Sequence, residues 1–512
     1  MLHKIIFPAA RSIKPLRCGI ALALGLLCAA PIVHADFYNA FKNYQEKKFD
    51  EASVLFRDLA ELGHGPSQFN LGVMYARGEA VEKDQGLGVG WMLAALENGH
   101  TQMSAQQLAD FKSRLTPAQV ADADKIVSLY GKRALERTLL PDGPTITTCR
   151  KFQYARIDQR AYGYYPKNAA IDQRDGVVLI RLTVGVDGLA RDPHVVVSLP
   201  EGLFDDATTD IFLKSRFVPA ERDGVKIESR VLSHFTFFHT DGGSLWQMKS
   251  VAALKTAAEQ KNPNGQYLIG MIGALDSTLN VPREEAHAML LSAAQAGHPN
   301  AQYWAANQTQ YDRLCGSGAK SRTWLEHAAE GGDANAQVEL AELRIAMGGD
   351  QLDIEEVKRL ITSASGRDTS YALKHAIAIL AASPNAALRN PQLALSATKK
   401  LRDFTLNADP QVDEAIAAGY AINADFREAT LWQERAVKKA KALYWNPRVV
   451  EARLTEYRNG KTVFDSDFFA VPAATTPPPP VRTEARDCAR RKRGCERVPD
   501  QERSQTGSYL KE

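Results

Sequence analysis

Cysteine is scarce in this chain, only 6 in 512 residues, and neither sign of charge dominates, with 63 Lys and Arg against 60 Asp and Glu. Long apolar runs are missing too. The longest, Cys18 to Val33, includes Pro31 and falls short of the roughly 20 residues that a membrane-crossing helix needs. Few cysteines exclude a small disulfide-stapled scaffold, and none of their spacings matches a zinc site. Balanced charge argues against broad nucleic-acid binding, which needs many phosphate-neutralising cations. With 45% apolar and 24% charged residues, the chain is neither disordered throughout nor polytopic in a membrane.

What is present begins with an address label. Lys4, Arg11, Lys14 and Arg17 precede the apolar stretch, and small residues lie before Asp36. This pattern predicts a signal peptide over residues 1–35 and a mature, periplasmic chain starting near Asp36. The alternative is an uncleaved inner-membrane anchor facing the periplasm. Without those four basic residues the balance is 59 against 60, close to neutral. Cys149, Cys315, Cys488 and Cys495 remain beyond the leader. Of these only Cys488 and Cys495 are close enough in sequence to predict a disulfide, and the state of the other two stays open.

At roughly 150 residues per domain the length suggests about three units, but internal repeats organise the chain more finely. Leu62-Gly63-His64 recurs as Asn98-Gly99-His100, and Asn264-Gly-Gln-Tyr267 recurs as Asn300-Ala-Gln-Tyr303. Small residues at helical spacing lie between such landmarks. A period of this size with two short helices per unit predicts a stacked α-solenoid. Asn70-Leu-Gly-Val-Met-Tyr75, Gly78, Val81, Lys83-Asp84, Trp91, Ala94-Ala95 and Gly99 resemble the Sel-one-like repeat, a relative of the tetratricopeptide repeat. That resemblance implies helical repeats over 36–145 and 245–348, with a tetratricopeptide-like region over 350–465. Gly86, Gly88 and Gly90 depart from it, standing where the second helix of the unit prefers Ala; either a loose helix or a close approach would account for them. Arg453 to Gly460 is expected to close the array as a final helix ended by its glycine, and a Pro-rich, basic, disordered tail over 470–512 follows.

Residues 150–240 break the helical period. Val178, Ile180, Leu182, Val184 and Val186 alternate with Leu179, Arg181 and Thr183, a period of two that predicts a strand. Asp187-Gly188 supplies a turn, His194 to Ser198 a second strand, and Phe204, Ala207, Thr208 and Ile211 a short helix ending near Arg216. Ile227, Ser229, Val231, Phe235 and Phe237 form the apolar side of a third strand. The expected fold class is therefore mainly α: an α-solenoid of two-helix repeats with an inserted small α+β domain, a three-stranded antiparallel sheet plus helix. Tyr165-Pro166, Ala169-Ala170, Gly176-Val-Val178, Asp187-Gly188, Phe217-Val-Pro-Ala220, Gly224 and Phe235-Thr-Phe237 resemble the C-terminal domain of TonB-family proteins. That family's domain captures a peptide of an outer-membrane transporter by strand addition. The resemblance implies a partner-binding edge strand made of Arg230, Val231, Leu232, Ser233, His234, Phe235, Thr236 and Phe237. Two departures qualify it. TonB proteins end with this domain, whereas ~270 residues follow it here, and they begin with an uncleaved anchor and a Pro-rich spacer.

No catalytic constellation and no metal or cofactor site emerges. Thr455 replaces the opening glycine of a phosphate loop before Gly460-Lys461-Thr462, and His234 and His239 fall on opposite faces of a strand. The chain is therefore expected to be a non-enzymatic interaction scaffold without a cofactor. Its partner is expected to be a protein or peptide of the cell envelope, an outer-membrane protein being one candidate. Nucleic acid is excluded as a partner, and membrane contact is confined to an uncleaved leader or the basic tail. The alternatives are an anchored, TonB-like energy transducer coupled to outer-membrane transport, and an envelope enzyme whose site follows no recognisable motif.

Overall fold

A computed structural model describes residues 36–140, 152–239, 245, 248–276, 279–308, 318–367, 369–404, 408–474 and 481. The expected signal peptide, the cysteines and all of the expected tail except residues 470–474 and 481 lie outside the described residues; Ala474 donates its N–H to the Asp187 carboxylate of the insertion at 2.9 Å. Seven helices come first: α1 (Phe37–Gln45), α2 (Phe49–Glu61), α3 (Gly65–Arg77), α4 (Gln85–Glu97), α5 (Ala105–Lys112), α6 (Pro117–Tyr130) and α7 (Lys132–Thr138). The insertion follows as β1 (Phe152–Gln153), β2 (Arg156–Gln159), α8 (Lys167–Ile171), β3 (Gly176–Val184), β4 (Ala190–Leu199) and α9 (Asp205–Lys214). It continues with β5 (Arg216–Val218), β6 (Ala220–Arg222), β7 (Val225–Ile227) and β8 (Ser229–Phe237). Helices then resume as α10 (Lys249–Glu259), α11 (Pro263–Leu275), α12 (Arg283–Gln295), α13 (Pro299–Gln308), α14 (Ala319–Glu330) and α15 (Ala334–Gly348). The last six are α16 (Ile354–Ser365), α17 (Ser370–Ala382), α18 (Pro391–Arg402), α19 (Pro410–Ala421), α20 (Phe426–Ala442) and α21 (Arg448–Arg458). The chain is a helical repeat array carrying a small antiparallel sheet, as its patterning implied.

The recurring landmarks have a mechanical meaning. Gln68, Gln302 and Gln337 each occupy the fourth position of their helix and donate Nε2 to the carbonyl eight residues earlier. Those acceptors are Ala60, Ala294 and Ala329, at 2.9, 3.2 and 3.0 Å. Carbonyls in the last turn of a helix lack intrahelical partners, so the glutamine satisfies one and fixes the angle between consecutive helices. The reversal ahead of each passes through Gly63, Gly297 or Gly332 at φ 86, 91 and 79, which a side chain would strain. In α4 the three glycines bring neighbours close. A Cβ on Gly88 would stand 2.9 Å from the Gly72 carbonyl oxygen of α3, and one on Gly90 2.8 Å from Ala123 of α6. The glycine run therefore marks close packing on two sides, and the helix is not loose.

In the insertion, β4, β3 and β8 form a three-stranded antiparallel sheet with β3 in the centre. One face carries Val178 and Phe237, which pack with Phe204, Ala207 and Ile211 at α9. The other face is covered as well: Val177 and Leu179 share one core with Tyr303, Trp304, Trp324 and Tyr371 of the helices. Eight of the nine residues of β3 are buried, so this antiparallel sheet has no solvated face. The helix ends at Lys214, two residues before Arg216. Ile227 belongs to β7, which pairs with β6 in a smaller sheet with β1, and β2 pairs with β5. Strands of two to four residues are too short to leave an alternation in the sequence, which is why they were not expected. At the far end Gly460, at φ 69, follows α21. The chain then returns over the helices, where Asp465 donates its N–H to the Ala382 carbonyl at 2.8 Å.

Because α4 is packed tightly on both sides, Gly88→Ala should destabilise the protein by about 1–3 kcal/mol through overpacking. Helix propensity alone would favour it by about 1 kcal/mol. Urea unfolding of the two proteins gives the sign, and a gain in stability would contradict the close-packed geometry.

Candidate partner-binding cleft at the sheet edge

Two buried ionic clusters dock the sheet onto the helices. Arg181, at the middle of β3, is 7% exposed. It reaches Glu339 of α15 at 2.6 Å, and its other amino group donates to Asn307 at 2.7 Å. Arg230, near the start of β8, reaches the same Glu339 carboxylate at 3.1 Å. The Tyr303 and Tyr371 hydroxyls donate to it as well, at 2.6 and 3.1 Å. Burial pushes the Glu339 carboxyl up, but Arg230 and Arg181 outweigh it and hold the group below the usual carboxylate range. Beside this cluster His194 stacks on Tyr371, ring centroids 4.4 Å apart. Burial and then Arg181 keep its imidazole neutral.

The second cluster arises from irregularities in β4. The register slips against β3 between Leu179 and Ile180, and again between Arg181 and Thr183. In the second slip Asp192 adopts φ 48, the kind of bulge that re-aims a side chain. Its carboxylate meets Lys374 Nζ at 2.7 Å and His375 Nε2 at 3.0 Å, both on α17. Lys374, 1% exposed, also binds Asp409 at 3.1 Å. His375 meets Glu342 at 2.6 Å through Nδ1. Burial lowers the His375 pKa, yet Glu342 and Asp192 outweigh it and raise the imidazole to about 9, so it carries a proton at neutral pH.

Docked in this way, the sheet leaves β8 at its margin, with no strand on the outer side among the described residues. The pairing with β3 sorts the eight residues by face. Arg230, Leu232, His234 and Thr236 lie on the side of the helices. Val231, Ser233, Phe235 and Phe237 lie on the side of α9, where Phe237 is buried. His234 stands 3.5 Å from Asp276, at the end of α11, and Thr236 donates to the same carboxylate at 3.3 Å. Against the first half of β8 opens a cleft that is continuous with solvent. Arg230, Val231 and Leu232 of β8, with Arg181 of β3 and Val196 of β4, contribute one wall, and Met271, Tyr303 and Trp304 of α11 and α13 the other. Tyr154 and Ala155 also line it. This cleft joins strand edge and repeat helices in one site. The helix residues in it were not singled out from the sequence, although Tyr303 belongs to a repeat landmark, and neither were Glu339 and Lys374.

Residues 161–238 match the family described as the Gram-negative bacterial TonB protein C-terminal. Among solved structures the chain is similar to a Sel1 repeat protein from Oxalobacter formigenes. That match is 21% identical, covers 38% of this chain and 80% of that one, and has a TM-score of 0.28. It is also similar to c5321, a protective antigen present in uropathogenic Escherichia coli strains and displaying an SLR fold. There the identity is 16%, the coverage 81% of this chain and 69% of that one, and the TM-score 0.30. No curated protein matches the chain. No helix of the described residues is long and apolar enough to cross a membrane.

Two outcomes are expected of the clusters. Glu339→Gln leaves two guanidinium groups without a buried counter-charge and should cost about 3–5 kcal/mol, measured by urea unfolding. A loss below ~1 kcal/mol would mean the pair is not buried in solution. The His375 pKa is raised above its unfolded value of about 6.5. Its contribution is therefore fully present below that pH and is lost as pH rises through about 9. His375→Gln should flatten the fall in stability between pH 6.5 and 9, and an unchanged slope would place the titration elsewhere.

Proposed function

We propose that the chain is a non-enzymatic protein-binding scaffold of the bacterial cell envelope, acting in the periplasm, that captures an extended segment of a protein partner along the outer edge of β8. The observation that carries this reading is the juxtaposition of a strand edge, unpaired among the described residues, with a cleft lined by apolar and polar side chains. Edge N–H and C=O groups lacking a neighbour are completed by an added strand, and alternate side chains of that strand are read by flanking pockets. Main-chain pairing supplies affinity that depends little on sequence, while Leu232, Met271 and Trp304 supply a surface for apolar side chains. The match of residues 161–238 to the TonB C-terminal family supports strand capture as the mode. The helical repeats act as the second wall of the site and hold the sheet in position. An outer-membrane protein is the favoured source of the captured segment.

The same family match favours a second reading, an energy transducer tethered by an uncleaved leader. In that case force would act on β8 through the clusters at Glu339 and Lys374. Mass spectrometry of the mature N-terminus separates the two, since a chain beginning near Asp36 has no tether.

Strand capture itself is tested by a photo-cross-linking amino acid placed at Ser233 in living cells. A control site is Leu431 of α20, 52% exposed and remote in sequence. A discrete envelope-protein adduct from Ser233 and none from Leu431 is expected. Identical adducts from both positions, or none from Ser233, would contradict the edge as the partner site.

A further inference from the structure

Beyond α21 the chain turns back as a strap. Residues 461–474 form neither helix nor strand, yet they cross the ends of α17 and α19. The Thr462 hydroxyl donates to the Ala421 carbonyl at 3.1 Å, and the Asp465 N–H to that of Ala382 at 2.8 Å. Phe468 is 4% exposed, its ring centroid 4.1 Å from Cζ of Arg453 on α21. The Phe469 ring meets His375 edge-on at 5.1 Å and stands 5.5 Å from Lys374 Nζ. Its carbonyl accepts from Gln411 Nε2 at 3.1 Å, and the Asp465 carboxylate meets Arg453 Nη2 at 3.1 Å. A cation over a ring face adds attraction beyond the burial of the ring.

The groups that hold the strap are fixed without it. Glu414 of α19 holds Arg453 at 2.7 Å, and Asp192 and Asp409 hold Lys374 at 2.7 and 3.1 Å. Gln411 is positioned through Oε1, which accepts the Asp192 N–H at 2.9 Å. None of these bonds involves residues 461–474. A surface with its charges and its amide already in place loses little freedom on taking up a segment. Surfaces spread over consecutive helices are also how repeat arrays hold extended peptides. The strap contributes main-chain groups, one carboxylate and two rings to such a surface, as a bound peptide would.

We propose that this groove over α17, α19 and α21 is a second partner site, kept closed by residues 461–474. In trans it admits a protein segment with an acidic residue followed three and four positions later by two aromatic residues. The present occupant supplies that pattern in Asp465, Phe468 and Phe469. Each position has its reader. Arg453 takes the acid through Nη2 and the first ring against its guanidinium, and Lys374 and His375 take the second ring. Gln411 takes a main-chain carbonyl and so fixes the register. The groove shares no lining residue with the cleft at β8 and does not depend on strand capture. Tethered in cis, the strap competes at an effective concentration on the order of millimolar, so the site opens only to a partner that outcompetes it.

The test uses the full chain and a fluorescein-labelled peptide of residues 460–474, with binding read by fluorescence anisotropy. Phe468→Ala together with Phe469→Ala in the chain loosens the strap and leaves Arg453, Lys374, His375 and Gln411 unaltered. That double variant should bind the peptide about tenfold or more tightly than the unaltered chain does, because the competing segment is weakened. Asp465→Asn in the peptide should weaken binding about tenfold through the lost charge-assisted bond. Phe468→Leu with Phe469→Leu in the peptide should weaken it about fivefold, since the rings then face no cation. Circular dichroism checks the fold of the double variant. Should it not fold, hydrogen exchange in the unaltered chain decides: the strap should open at a lower free energy than α17 and α19, and one shared free energy overturns the proposal. No binding to a folded double variant overturns it too. Equal binding to both chains places the peptide on another surface and overturns it likewise. Binding indifferent to Asp465, or to the exchange of both rings, overturns the pattern assigned to the partner.

Discussion

The docking of the insertion turns first on a single carboxylate. Glu339 projects from a repeat helix and is met by guanidinium groups from two strands of the sheet, Arg181 and Arg230. A buried ion pair is a poor source of net stability, because desolvation consumes most of the Coulombic gain. Its value lies in what it forbids. Any rotation or slide of the sheet on the helices would strand charges in an apolar core, so one docking geometry is selected over many similar ones. Asp192, re-aimed by a bulge, repeats the device at the opposite side of the sheet, on Lys374 and His375. Two such anchors on different strands fix both position and angle.

That constraint links the fold to the site. A strand edge alone is a promiscuous and aggregation-prone surface. Set against α11 and α13 it becomes one side of a cleft with its own shape and charge, and an incoming segment must fit both sides. Because the walls are already rigid, little ordering of the protein opposes binding. The repeats earn their rigidity from small devices that recur: a left-handed glycine at the turn and a buried glutamine closing the preceding helix. The sheet in turn supplies Val177 and Leu179 to the helices' core. Neither part presents a complete apolar surface without the other.

How much of this was legible beforehand follows from which residues change roles on folding. The repeats were visible because turn glycines and small helix residues have the same task in every unit. The sheet and its helix were visible because Val178, Ile180, Leu182 and Val184 keep a period of two. The docking was not, since Arg181, His194, Glu339 and Lys374 are residue types normally found in water, and only their partners across long sequence separations bring them inside. The shortest strands were hidden because a few residues carry no period. The candidate edge residues were recognised through resemblance to a family. The wall facing them lies on helices some 40 to 75 residues later in the chain, which no local pattern connects to β8.

The central claim is that sheet and helices open as one body, held by the clusters at Glu339 and Lys374. Native-state hydrogen exchange read by mass spectrometry over a denaturant series measures it directly. The account predicts that peptides covering β3 (Gly176–Val184), α15 and α17 share one opening free energy and one denaturant dependence. Exchange of β3 at a distinctly lower free energy, with both helices still protected, would show a sheet that comes free of its support. The cleft would then be an accident of docking, and the account would fail.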